Sequence, residues 1–140
     1  MTSRKKKRVL FVCVGNCCRS QMAEGFAAHY GGDVLVAESA GLVPAGVVVE
    51  DTVRSMAQKN IDISSQFSKP LRVDETSEYD LIVNMSGFSL PEAVRAPTVA
   101  WVVPDPIGQS SQVYAQVRDQ IQALVLQLIS DFRQNARKHS

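Results

Sequence analysis

The sequence predicts an α/β fold: a single-domain three-layer sandwich, with a four-stranded parallel sheet flanked by helices. Two patterns carry this expectation. Short apolar runs of strand length alternate along the chain with longer stretches whose apolar residues return every three or four positions. The runs are apolar throughout instead of alternating with polar residues, as in a strand covered on both faces of a parallel sheet. At 140 residues, 45% of them hydrophobic, the chain suits one core of ordinary size. No repeat, low-complexity linker or shift of composition marks a second domain, so residues 1–7 read as a basic flank and 8–140 as the folded unit.

The first strand is expected over residues 8–14, Arg-Val-Leu-Phe-Val-Cys-Val, with a turn at Gly15 and Asn16. A helix follows from Ser20 to His29, where Met22, Ala23, Phe26 and Ala27 share a face, and Gly31 and Gly32 end it. Residues 33–40 read as the second strand and 51–59 as a helix turning Val53, Met56 and Ala57 inward. The run 80–85 is the third strand and 98–103 the fourth. From Ser111 to about Arg137 a long C-terminal helix carries Val113, Val117, Ile121, Val125, Leu128 and Phe132 on one face.

Charge and cysteine usage narrow the function. Fifteen basic against fourteen acidic residues leave a formal charge of +1, which advertises neither nucleic acid nor membrane as a partner. The local run Arg4 to Arg8 reads as a solvated flank that keeps the following strand from aggregating. No apolar segment approaches the roughly 20 residues of a spanning helix, and Val9 to Val14 is too short for a leader, so a soluble chain with no cleaved signal is expected. Cys13, Cys17 and Cys18 all fall within six positions, where they cannot staple distant parts of a fold. Clustered thiols suggest chemistry in a reducing cytoplasm. The two histidines, His29 and His139, stand far apart, and neither a metal site nor a cofactor is expected.

In open parallel sheets, ligands bind beyond the carboxyl ends of the strands. The loop from Cys13 through Val14, Gly15, Asn16, Cys17 and Cys18 to Arg19 and Ser20 lies at that edge, and so does Asp105 after the fourth strand. A loop curled at a helix N-terminus aims several backbone N–H groups at one point, and the helix dipole adds positive potential there. Gly15 and Asn16 suit the positive φ angles such curling needs. The same field favours the thiolate of Cys13, so the nucleophile needs no histidine base. Arg19 offers a planar fork matched to two oxygens of a tetrahedral anion. Ser20 is positioned to donate a hydrogen bond to the cysteine sulfur. A leaving oxygen needs a proton, and Asp105, expected to face this loop, is the candidate to supply it.

These segments resemble the low-molecular-weight protein tyrosine phosphatases and the arsenate reductases of the same fold. The resemblance rests on Val-Leu-Phe-Val-Cys-Val-Gly-Asn-Cys-Cys-Arg-Ser at 9–20, Gln-Met-Ala-Glu-Gly at 21–25, Ser-Ala-Gly at 39–41 and Asp-Pro at 105–106. It implies Cys13 as nucleophile, Arg19 as phosphate clamp and Asp105 as general acid. It further implies a hydrogen-bonded network of Asn16, Ser20 and Ser39 that shapes the loop. Cys18 matches a second loop cysteine of both branches and is a candidate for a reversible bond with Cys13 under oxidation. Cys17 occupies a position that is usually not cysteine and reads as a tolerated small side chain.

The two branches differ in what attacks the cysteinyl adduct: water in a phosphatase, a second thiol in an arsenate reductase. Residues 21–25, Ile61-Asp-Ile-Ser, Trp101, Gly108-Gln-Ser and Val117-Arg-Asp resemble the reductases. Ser86 and Phe88, however, stand where the reductases keep resolving cysteines. Ile107 and Gly108 replace the aromatic residues with which phosphatases grip a phenolic ring, and Gln66 stands in place of a loop-supporting histidine. The expectation is a cysteine-dependent phosphomonoester hydrolase, a protein tyrosine phosphatase acting on a phosphotyrosine protein or small aryl phosphate. The first alternative is an arsenate reductase served by an external thiol, glutaredoxin or a small molecule. The second is a non-catalytic oxyanion-binding regulatory module.

Overall fold

Five successive buried side chains, Val9 to Cys13, make the first strand the axis of the molecule. The computed structural model describes residues 5–138, so Arg4 of the basic run and His139 lie outside the described residues. Strand β1 (Lys7–Cys13) runs between β2 (Leu35–Gly41) and β3 (Leu81–Asn84), and β4 (Thr98–Ala100) forms the edge beyond β3. All three pairings are parallel, as expected. The register sets Cys13 beside Gly41, Val12 beside Asn84 and Asn84 beside Ala100, so the four strands finish close together at one edge.

Side chains of β1 alternate between two apolar clusters, one on each face. Val9, Phe11 and Cys13 meet Met22 and Phe26 of α1 (Arg19–Gly31), Met56 of α2 (Glu50–Ala57) and Val117, Ile121, Val125 and Ile129 of α3 (Ser111–Lys138). Leu10 and Val12 meet Ala40 and Ile82 on the other face, beneath Leu71, Tyr79, Leu90 and Val94. There irregular segments do the covering, including Leu71 and Tyr79 on either side of a 3₁₀ helix, Val73–Glu78, whereas all three α-helices contribute to the first cluster. Each fully buried Phe, Ile or Met on these faces stabilises the fold by roughly 1.5–3 kcal/mol. Among the described residues no helix is long and apolar enough to cross a membrane.

Two elements differ from the sequence reading. The fourth strand ends at Ala100 and is exposed, because the run beyond Trp101 gives its carbonyls to side chains instead of a neighbouring strand: Val103 O accepts from Arg19 and Val102 O from Gln120. Helix α2 stops at Ala57, which is exposed, and buries Thr52, Ser55 and Met56. A left-handed Asn60, φ 61°, closes its end with Ile61 N donating to Met56 O, and Arg118 of α3 donates to Ser55 O at 3.1 Å, one of the carbonyls a helix C-terminus leaves free, and to Gln58 Oε1 at 2.6 Å. Of the apolar face read along α3, Val117, Ile121 and Val125 are buried and Val113, Leu128 and Phe132 half-buried, with Tyr114 and Ile129 buried beside them.

Candidate active site

Helix α1 begins with five buried residues in succession, Arg19, Ser20, Gln21, Met22 and Ala23. The first three are polar, so each must find partners inside the protein. Those partners define the site.

Every carbonyl from Cys13 to Cys18 is engaged on the outside of the loop. Cys13 O accepts from Leu42 N, Val14 O from Val43 N, Gly15 O from Ala45 N, Cys17 O from Val49 N and Cys18 O from Met22 N, at 2.8 to 3.1 Å. Asn16 O accepts from Gln21 Nε2 at 3.0 Å. A trans peptide holds each C=O antiparallel to the next N–H, and there is no cis bond among the described residues. Outward carbonyls therefore turn the N–H groups of Val14 to Arg19 inward. They face a cleft of about 190 Å³ lined by Cys13, Val14, Gly15, Cys17, Cys18, Arg19, Asp105 and Ile107. No acidic residue occupies the first turn of α1 and no side chain caps it, so its dipole keeps its positive end toward this cleft.

Of the two residues expected to take positive φ, only Asn16 does, at 47°. Gly15 serves by its size: a Cβ there would lie 3.0 Å from the Cys17 sulfur. Lys69 N donates to Asn16 Oδ1 at 2.9 Å, which fixes the amide so that Nδ2 donates to Ser20 Oγ at 2.7 Å. Ser20 Oγ lies 2.9 Å from Cys13 Sγ, and with a lone pair already occupied its proton is free to point at the sulfur. The Arg19 guanidinium is held by Met85 O at 2.8 Å and Val103 O at 3.1 Å, one carbonyl beyond each of β3 and β4. Its other nitrogen stands 4.0 Å from Asp105 Oδ2. Asp105 is half exposed, and Ile107 N donates to its Oδ1 at 3.1 Å.

Ser39 departs from the expected network. Both functions of the Asn16 amide are taken by Ser20 and Lys69, and Ser39 instead bonds Glu24 of α1 and the Lys69 ammonium. The two extra cysteines also part company. Burial pushes the Cys17 thiol up, and nearby Cys13 and Asp105 add to this, with Arg19 opposing. The Cys18 thiol is pushed up to about 12 by burial, partly offset by the hydroxyls of Thr52 and Tyr114. Those hydroxyls lie near the sulfur, yet neither has a partner in good hydrogen-bond geometry. Cys18 thus has its sulfur near Thr52 of α2 and Tyr114 of α3, and Cys17 senses Cys13, Asp105 and Arg19, although both cysteines line the cleft.

Sequence reasoning missed most of the outer support. Gln66 Nε2 donates to Gln21 O and Oε1, Gln21 Nε2 reaches Phe67 O, and Ser68 Oγ donates to Gly15 O. Gln66 therefore does support the loop, through Gln21. Gly41 stood within the Ser-Ala-Gly run, where it could have been noticed: a Cβ there would lie 2.9 Å from Asn16 N and Val14 O.

The chain matches the model of the low molecular weight phosphotyrosine protein phosphatase family over residues 8–138. It is 38% identical to the glutaredoxin arsenate reductase of Synechocystis sp. over 128 residues, covering 89% of this chain and 97% of that one. It is 36% identical to arsenate reductase 1 of Bacillus cereus, over 86% of this chain and 92% of the relative. Among solved structures, an arsenate reductase in its phosphate-binding state superposes with a TM-score of 0.78 at 36% identity, covering 90% of this chain and 98% of that one. An arginine phosphatase of Geobacillus stearothermophilus has a TM-score of 0.83 at 24% identity, over 96% and 97% of the two chains, a likeness of fold.

Proposed function

Because the chain belongs to the low molecular weight phosphotyrosine protein phosphatase family, we propose that within it this protein is an arsenate reductase that draws electrons from an external thiol. The observation that carries the reading is the inward ring of N–H groups closed by Cys13 and Arg19. It suits a tetrahedral oxyanion seated over the Cys13 sulfur. The identity with arsenate reductases tips the choice of reaction.

The Cys13 thiolate attacks arsenic while Asp105 protonates the oxygen that departs as water. Ser20 stabilises the sulfur as charge leaves and returns, and Arg19 follows two equatorial oxygens as negative charge builds on them. A thiol then attacks the Cys13 sulfur. The S–As bond breaks, its electron pair stays on arsenic, and arsenite leaves a disulfide behind.

One observation favours a second reading. Ser86 and Phe88, between β3 and β4, put no thiol where the resembling reductases carry theirs. With water as the attacking group, the same site is a phosphomonoester hydrolase, and Asp105 activates that water. Steady-state arsenate reduction with glutathione and with a glutaredoxin couple, run beside p-nitrophenyl phosphate hydrolysis, separates the two. We expect arsenite formation that is lost in Cys13→Ser and needs added thiol for repeated turnover. Rapid ester hydrolysis with no arsenite from any donor would replace this reading with the phosphatase.

A further inference from the structure

Three thiols lie in one loop, and the cleft holds more than the reaction above requires. The first thiol is the nucleophile. The second, Cys18, lines the cleft in part but has its sulfur beside the hydroxyls of Thr52 and Tyr114. The third, Cys17, lines the same cleft, and the charged groups it senses are those of the site, Cys13, Asp105 and Arg19. Asn16, between Cys13 and Cys17, takes a left-handed φ of 47°. Gly15, lacking a side chain, leaves the Cys17 sulfur the space a Cβ would enter.

We propose that Cys17 is the resolving thiol of the reaction, attacking the arsenylated Cys13 sulfur within the same loop while Asp105 takes its proton. The inference rests on the arsenate-reducing reading and replaces the direct attack by an external thiol with an internal one. After protonating the departing water, Asp105 is a carboxylate and can accept a proton. The Cys17 thiol gives it up and forms an S–S bond with Cys13. The S–As bond breaks with its electron pair on arsenic, so arsenic(V) leaves as arsenite and two thiols become one disulfide. An external dithiol protein or small-molecule thiol then reduces the Cys13–Cys17 disulfide by exchange, which restores the loop. Burial and the adjacent groups hold Cys17 as a thiol until a base acts, which keeps it from competing with Cys13 for the first attack. The arrangement also accounts for a reductase-like chain with Ser86 and Phe88 in the segment after β3: the second sulfur is in the loop itself.

The test uses the reduced full chain mixed with excess arsenate and no added thiol. We expect a burst of about one arsenite per chain in the wild type, with peptide mass mapping showing Cys13 joined to Cys17. Cys17→Ser should lower the burst by about tenfold or more while retaining the thermal shift given by inorganic phosphate, which shows that the loop still folds. Cys18→Ala should still form the Cys13–Cys17 bond. An undiminished burst in Cys17→Ser, a Cys13–Cys18 bond in the wild type, or arsenite only when glutathione is present would overturn the assignment and leave the reductase reading standing. No arsenite under any condition, with ester hydrolysis intact, would remove both.

Discussion

Cys18 shows how far one residue's surroundings decide its role. Its ordinary thiol pKa of 9.0 is pushed up to about 12, chiefly by burial. As pH rises, the unfolded chain releases this proton first, so the folded state loses stability between about pH 9 and 12 and is unaffected by this group below that window. At pH 11 the loss reaches ~3 kcal/mol. Urea midpoints measured from pH 8 to 11 should fall more steeply for the wild type than for Cys18→Ala. Parallel slopes would mean that the buried thiol is not what titrates. At this scale the sequence was most informative where partners are near in the chain. Cys13, Asn16, Arg19 and Ser20 could be picked out because curling around an anion is a local problem. Ser39 was assigned the wrong partners, since the choice between Asn16 and Glu24 depends on how α1 lies against β2. The donor that orients Asn16 is the backbone of Lys69, 53 residues away, and nothing in residues 64–72 announces it.

Elements meet at the loop with little tolerance. The end of β2 runs so close to it that Gly41 has backbone atoms of Asn16 and Val14 within 2.9 Å of where a Cβ would stand. Backbone cannot rotate aside as a flexible side chain can. Gly41→Ala should therefore cost about 1–3 kcal/mol and weaken phosphate binding as well. Equilibrium unfolding and calorimetric titration would show both effects, and a variant as stable and as tight as the wild type would mean that the contact is relieved elsewhere. Helices and buried strands were legible because each is a repeating pattern of one face or one run. The length of β4 was not. Thr98 to Val103 has strand composition, yet Val103 O is taken by Arg19, and a side chain reaching in from α1 leaves no periodic trace in the strand it interrupts. The end of α2 was misjudged although its stop is local: Asn60 takes a left-handed φ of 61° and Ile61 N donates back to Met56 O.

Across the whole molecule, the order of strands and helices followed from the sequence, and with it the edge at which the site lies. Which face each helix would cover did not, because an apolar face names no partner. The site ties the sheet together: the Arg19 guanidinium joins the exits of β3 and β4 to the start of α1. Filling the cleft should thus stabilise the fold globally. Inorganic phosphate at about 100 times its dissociation constant should add about 2.7 kcal/mol, or roughly 10 °C in melting temperature for a chain of this size. The shift should be absent in Arg19→Ala, and an equal shift in both proteins would place the anion elsewhere. The outward carbonyls have one further consequence, for selectivity. The loop turns N–H groups and one guanidinium toward the anion, with the Asp105 carboxylate at the side, so it sorts ligands chiefly by shape and negative charge. Arsenate and phosphate are nearly isosteric and equally charged, and such a cage holds them alike. On the proposed arsenate-reducing reading, phosphate in the surroundings would compete for the cleft and set how much arsenate is needed for occupancy. Discrimination would then fall to the step after capture, where arsenic alone accepts two electrons from sulfur.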